Sequence, residues 1–126
     1  MLVSKIVYSL ACNSAKSLGP SACKKGATAY IGYKGEFVFF TDTNSGCTPM
    51  RDRIAEPFLK SSNEVPVSLL KGHAVKEAHK RSQESFDQWI GKFTSSGAPV
   101  GSEHILWALY ADKENQVYHG DGDASL

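Results

Sequence analysis

Cys12 is the side chain in this sequence that is best placed to act as a nucleophile. It follows a mostly apolar run over residues 6–11 and precedes the polar pair Asn13 and Ser14. A cysteine between the C-terminal end of a strand and the start of a helix can expose its sulfur where the helix N-terminus favours the thiolate. Catalysis by such a thiolate requires a base that comes from elsewhere in the fold. The structural alternative is a buried cysteine that packs as a small apolar residue.

Four further residues are candidates for binding the group that a Cys12 thiolate would attack. Asn13 is the next residue, and Gly32 and Tyr33 end the next predicted strand. In a βαβ unit the two strands run parallel, so their C-terminal ends lie side by side. The loop that follows carries Asp42, and binding residues are expected on this loop because loops at this edge of the sheet surround the site. The alternative for Asp42 is an acid on a solvated loop.

The four histidines are the candidate bases. His73 and His79 belong to a predicted helix that covers the sheet, where histidines are usually solvated. His104 lies near a predicted helix start. His119 ends the last predicted strand and is followed by glycine. None of these positions identifies a strong partner for Cys12 within the sequence.

The hydrophobic pattern predicts the strands and the helix that position Cys12. Residues 3–11 and 27–33 are predicted strands, joined by a short helix over residues 15–25 that ends at a glycine. Residues 36–40 form a third apolar run that continues the second strand or lines a cleft, and residues 116–119 predict a last strand.

The rest of the chain reads as helical. Thr48 and Pro49 are typical of a helix start, and we expect a helix over residues 50–59 and a short helical turn over residues 65–70. The clearest helix is predicted over residues 74–93, where apolar residues recur at steps of three and four. Residues 102–111 predict another helix, with a strand as the competing interpretation.

Length and composition favour one domain over residues 1–126, with a modest core. The 14 basic and 13 acidic side chains give no electrostatic reason to expect nucleic acid or an anionic membrane as a partner. The three cysteines form no C-x-x-C pair, which indicates neither a disulfide framework nor a zinc site. Reduced thiols in the cytoplasm are the simpler interpretation.

A targeting signal is the competing interpretation of the N-terminus. The sequence Ser9-Leu10-Ala11-Cys12 superficially resembles a lipoprotein cleavage site, but its apolar run is about half the usual signal length. No stretch approaches the roughly 20 apolar residues of a membrane span. We therefore expect a soluble protein.

Several short stretches resemble the nucleophile half of caspase-like cysteine peptidases. The similarity is strongest to the gingipain-like and prokaryotic caspase-like branches, in which an Ala-Cys pair closes one strand and a Gly-Ala step opens the next. Here these are Ala11-Cys12 and Gly26-Ala27. The Gly-Asp segment within residues 115–126 also resembles the end of gingipain-like catalytic domains. The matching stretches are residues 6–14, 18–20, 25–27, 29–32 and 115–126.

The resemblance implies an α/β fold of three layers, α/β/α, with a partial, mostly parallel sheet covered by helices. The chain would correspond to the C-terminal part of a caspase-like or gingipain-like catalytic domain. Cys12 would be the nucleophile and its backbone N–H one donor to the oxyanion, with no metal or organic cofactor. The family's histidine follows an earlier strand, which this sequence does not contain, so we expect it to come from outside the chain.

The function implied is that of a cysteine endopeptidase, as a fragment or subunit, acting on peptide or protein substrates. A second chain would supply the histidine, and the edge of the Cys12 strand is expected to be exposed or paired with that chain. The first alternative is a catalytically incomplete caspase-like module that binds or regulates. The second is a small receiver-like or flavodoxin-like protein, although no acidic cluster or phosphate loop is visible at the strand ends.

Overall fold

A computed structural model describes residues 4–38, 40, 54–95 and 102–126. In these ranges the chain forms four helices and three strands. In chain order they are β1 (Ile6–Tyr8), α1 (Leu18–Lys24), β2 (Ala29–Tyr33), α2 (Glu56–Leu70), α3 (Val75–Thr94), α4 (Ser102–Asn115) and β3 (Gln116–Gly120). The predicted α/β class is confirmed.

The three strands form one mixed sheet in the order β1-β2-β3. β1 runs parallel to β2, as the βαβ pattern predicts, and β3 runs antiparallel to β2. The described sheet is therefore mixed, and the expectation of a mostly parallel sheet needs this correction. Gln116 pairs with Tyr33, so β3 enters at the C-terminal end of β2 and has to run back along it.

Helices cover both faces of the sheet. Because side chains alternate along each strand, each strand contributes residues to both layers. On one face Ile6, Tyr8 and Ile31 pack against α2 and α3. On the other face Val7 and Tyr30 pack against the buried alanines of and around α1. This alternation puts a hydrophobic layer on each side of β2, all five residues of which are buried.

A further apolar core, separate from the two layers on the sheet, lies among the helices α2, α3 and α4. Its buried members are Phe58, Phe86, Ile90, Ala108 and Leu109. The helix predicted over residues 74–93 is confirmed as α3. The apolar run within residues 102–111 is helical, in α4, so the strand interpretation of that run is wrong.

One continuous helix, α2, replaces the two helical pieces predicted over residues 50–59 and 65–70. Pro57 lies in its first turn, where a missing N–H costs nothing. Pro66 lies inside the helix and cannot donate to the carbonyl of Ser62 one turn earlier. The Tyr8 hydroxyl of β1 donates to that carbonyl instead, at 3.0 Å. The helix continues past Pro66 with this tertiary contact in place.

Some predicted features lie outside the described residues. These are Asp42 and its loop, Cys47, and the Thr48-Pro49 helix start. Residues 36–38 are described and form no strand. None of the helices in the described ranges combines the length and the hydropathy that crossing a membrane requires.

Candidate functional site

Cys12 lies on a turn between β1 and α1 that we call the thiol turn, residues 9–15. Its side chain is exposed, as the prediction of an accessible thiol requires. The backbone N–H of Phe37 points at the sulfur, with a nitrogen to Sγ distance of 3.4 Å. The Cys12 S–H can donate to the carbonyl oxygen of Phe37 at 3.9 Å. The Phe37 N–H is therefore a hydrogen-bond donor to the Cys12 sulfur.

Hydrogen bonds to the segment after β2 fix the shape of the thiol turn. Asn13 adopts a left-handed backbone with φ of 56°, which asparagine tolerates better than most residues. Its N–H donates to the Gly35 carbonyl at 2.8 Å, and the Ala15 N–H donates to the Tyr33 carbonyl at 2.9 Å. The Ser14 hydroxyl accepts from the Tyr33 N–H at 3.2 Å. The turn and the chain after β2 therefore form one hydrogen-bonded unit.

Gly32 lies against the thiol turn and leaves no room for a side chain. A Cβ at this position would lie 2.5 Å from the Ser14 hydroxyl oxygen and 2.9 Å from the Tyr30 ring. The parallel pairing of β1 and β2 thus brings Gly32 beside the turn, as the sequence predicts. What it contributes is a close approach between two stretches of chain.

The Tyr33 side chain points into the protein interior. It is fully buried, and its hydroxyl lies 2.8 Å from the Ser62 hydroxyl. The side-chain amide of Gln116 donates to the Tyr33 hydroxyl at 3.1 Å. Burial raises the pKa of Tyr33 well above its ordinary value, so the phenol stays neutral. Only the Tyr33 backbone meets the thiol turn, whereas Asn13 is exposed on the turn itself.

The two histidines of the sheet region are engaged with backbone carbonyls. His119 lies with Nε2 2.9 Å from the Ala15 carbonyl oxygen, and His79 with Nε2 3.1 Å from the Gln116 carbonyl oxygen. A nitrogen that donates to a carbonyl carries the proton and cannot accept one from a thiol. Within the described residues no histidine forms a hydrogen bond to Cys12.

Asp112 is a candidate residue that the sequence did not reveal. It lies on the inner face of α4 and is fully buried. One carboxylate oxygen accepts from the Val38 N–H at 2.7 Å, and the other has no hydrogen-bond partner among the described residues. Burial raises the pKa of Asp112 from 3.8 to about 7. A usable signal was its spacing, three and four residues after the buried Leu109 and Ala108.

The described part of the chain brings no metal site to the thiol turn. No three potential metal ligands among His, Cys, Asp and Glu converge in it. A polar groove of about 390 Å³ runs between α2 and α3, bordered by Trp89 and Lys92, and no residue of the thiol turn lines it.

No protein-family model, no curated protein and no solved structure matches this chain. The resemblance to caspase-like peptidases thus depends on the stretches quoted above.

Proposed function

We propose that this chain is the nucleophile-bearing part of a caspase-like cysteine endopeptidase. The observation that carries the proposal is the exposed Cys12 just beyond the end of β1, with its sulfur against the Phe37 N–H. The alternative of a buried cysteine does not fit an exposed thiol. The sequence stretches that resemble the family add the class of reaction.

In this proposal the Cys12 thiolate attacks the carbonyl carbon of a peptide bond. A bond forms between sulfur and carbon, the bond between carbon and nitrogen breaks, and a histidine from outside these residues protonates the leaving amine. Water then hydrolyses the thioester and restores the thiolate. The backbone N–H of Cys12 serves as one donor to the oxyanion, and Asn13 lies next to the sulfur to contact the substrate. The backbones of Gly32 and Tyr33 support the thiol turn. Asp42 binds the basic residue of the substrate.

The open edge of β1 supports the idea of a second chain that brings the histidine. The Lys5 carbonyl accepts from the Thr28 N–H just before β2, and the Ser9 N–H donates to the Ile31 carbonyl of β2, so these alternate residues face the neighbouring strand. The backbone groups of Ile6 and Tyr8 therefore face the other way, because the hydrogen-bonding direction alternates along a strand. In the described part of the sheet β1 is the edge. A strand added there would lie directly beside the thiol turn.

A reducing compartment fits this assignment. Cys12 and Cys23 are both free thiols. Because a thiolate nucleophile has to stay reduced, we place the protein in the cytoplasm.

The test is the rate at which iodoacetamide alkylates each cysteine near neutral pH, followed by mass spectrometry of the peptides. We expect Cys12 to react faster than Cys23 or Cys47 by about tenfold or more, since the proposed nucleophile is exposed and reacts as the thiolate. Cys12→Ser is the control that identifies the reactive peptide. Equal rates at the three cysteines would contradict the peptidase proposal.

A catalytically incomplete module is the second candidate. The observation that favours it is the engagement of His79 and His119 with backbone carbonyls. The two candidates differ when the chain is mixed with a cell extract and a library of fluorogenic peptides. A peptidase gains cleavage activity that Cys12→Ser removes, whereas a binding module gains none.

A further inference from the structure

We infer that Asp112 is a positioning residue for Cys12: its ionised carboxylate holds residues 37–38 where the Phe37 N–H meets the sulfur. The inference deepens the proposed function, because Cys12 is the nucleophile in that proposal. It concerns what keeps the thiol reactive, and it can be tested without a substrate.

Two consecutive amides connect the carboxylate to the thiol. The Val38 N–H donates to Asp112 Oδ1 at 2.7 Å, and the Phe37 N–H donates to Cys12 Sγ at 3.4 Å. The two amides are joined at the Phe37 Cα, and the Val38 N–H belongs to the same planar peptide group as the Phe37 carbonyl oxygen, which lies 3.9 Å from Cys12 Sγ. Val38 therefore cannot leave α4 without moving the Phe37 backbone beside the sulfur. The bond to Asp112 is the shorter of the two and involves a full charge when the acid is ionised.

The surroundings make the charge of Asp112 depend on this contact. Asp112 is fully buried, one turn after Ala108 and Leu109, which pack against Phe58 and Phe86. A buried carboxylate is costly unless hydrogen bonds compensate. The Val38 N–H is the one such bond among the described residues, and the second oxygen has none. Val38 therefore stabilises the ionised acid, and the ionised acid in turn holds Val38.

The elements packed around Asp112 carry other titratable and charged groups. Tyr33 of β2 stays neutral because burial raises its pKa. Lys113, the next residue of α4, forms an ion pair with Asp87, with Nζ 2.6 Å from Oδ1. The α2 and α3 residues of this core, Phe58 and Phe86, are apolar. On the described segment after β2 the charged residues are the exposed Lys34 and Glu36.

Residues 34–36 are held in another way, so the effect of Asp112 is local. The Lys34 N–H donates to the Asn115 carbonyl at 2.8 Å, and the Asn115 side chain donates to the Glu36 carbonyl at 3.4 Å. These bonds do not involve the carboxyl of Asp112. Protonation of Asp112 weakens the hold on residues 37–38 and leaves residues 34–36 in place.

The first experiment compares pH profiles of iodoacetamide alkylation at Cys12 in three proteins. Asp112→Ala removes the acceptor, and we expect the alkylation rate of Cys12 at pH 7 to fall about threefold to tenfold, which is the effect of one lost hydrogen bond. Asp112→Asn keeps an acceptor but not the charge, so its rate at pH 7 should lie between those of Asp112→Ala and the parent protein. The limiting rate at high pH should be the same in all three.

Cys23 serves as the internal reference, and Asp87→Asn is the matched control because it changes an exposed aspartate that pairs with α4. An unshifted Cys12 profile in Asp112→Ala would overturn the inference. A rise in the alkylation rate of Cys23 in Asp112→Ala would overturn it as well, because that result indicates a loosened fold.

The second experiment needs no destabilising variant. In ¹⁵N NMR spectra of the parent protein the amide signals of Phe37 and Val38 should titrate together near neutral pH, and Asp112→Asn should abolish both titrations. Amide signals that stay constant between about pH 5 and 9 would refute the inference. Absence of peptidase activity would count against the proposed function alone, because these readouts do not depend on a substrate.

Discussion

The buried carboxyl of Asp112 predicts an unusual dependence of stability on pH. Its pKa in the folded protein is raised from 3.8 to about 7. A raised pKa means that the folded state keeps the proton after the unfolded state has lost it. The free energy of unfolding contributed by this group is therefore highest below pH 4, falls as the pH rises from 4 to 7, and is constant above about pH 8.

The magnitude follows from the difference between the two pKa values. The interval from 3.8 to about 7 corresponds to about 4 kcal/mol at 1.36 kcal/mol per pH unit. Asp112→Asn cannot ionise and keeps an oxygen that accepts from Val38. Allowing about 1 kcal/mol for a weaker hydrogen bond, we expect the variant to be about 3 kcal/mol more stable than the parent protein at pH 8. At pH 4 the variant should have no such advantage.

Urea unfolding followed by circular dichroism, at intervals between pH 4 and 9, measures this difference. The difference between variant and parent isolates Asp112, because the other titratable groups are the same in both proteins. Asp87→Asn should give a difference close to zero at each pH, since Asp87 is exposed. A constant difference between Asp112→Asn and the parent protein over this range would refute the reasoning.

Two further predictions concern the buried contacts of Gly32 and Tyr33. Gly32→Ala should lower the free energy of unfolding by about 1–3 kcal/mol, because the new methyl would lie 2.5 Å from the Ser14 hydroxyl oxygen. Gly91→Ala on α3 has no atom within 4 Å and should be neutral or stabilising in the same urea experiment; equal losses would contradict the packing argument. Tyr33→Phe should lower the free energy of unfolding by about 1–3 kcal/mol, because it removes one hydrogen bond each from the buried Ser62 and Gln116. Thermal unfolding should show no comparable loss for the exposed Tyr110→Phe, and a Tyr33→Phe midpoint equal to that of the parent protein would exclude the buried contact as a source of stability.

Local patterns were enough to predict α3 and the first βαβ unit. The three- and four-residue spacing of apolar side chains defines one face of α3, and that face is buried at Ala78, Phe86 and Ile90. The polar residues after Cys12 correctly indicated that the first strand ends before an exposed cysteine. These features depend on residues close together in the chain, so a single sequence contains the information.

Contacts between distant residues decided the rest. Pro66 argued against a continuous α2, yet the Tyr8 hydroxyl of β1 takes over the Ser62 carbonyl that Pro66 cannot bond. The direction of β3 depends on where α4 ends, beside Lys34. Neither fact can be read from neighbouring residues.

The site divides in the same way. From the sequence alone it follows that a cysteine comes after an apolar strand and that the chain turns there. The packing of distant elements turns the Tyr33 side chain to the interior and buries Asp112 against the Val38 N–H, which is the amide after the Phe37 N–H that meets Cys12. The physical reason is that the exposure and pKa of a side chain depend on every element packed around it, and here those elements are up to about a hundred residues apart in the chain.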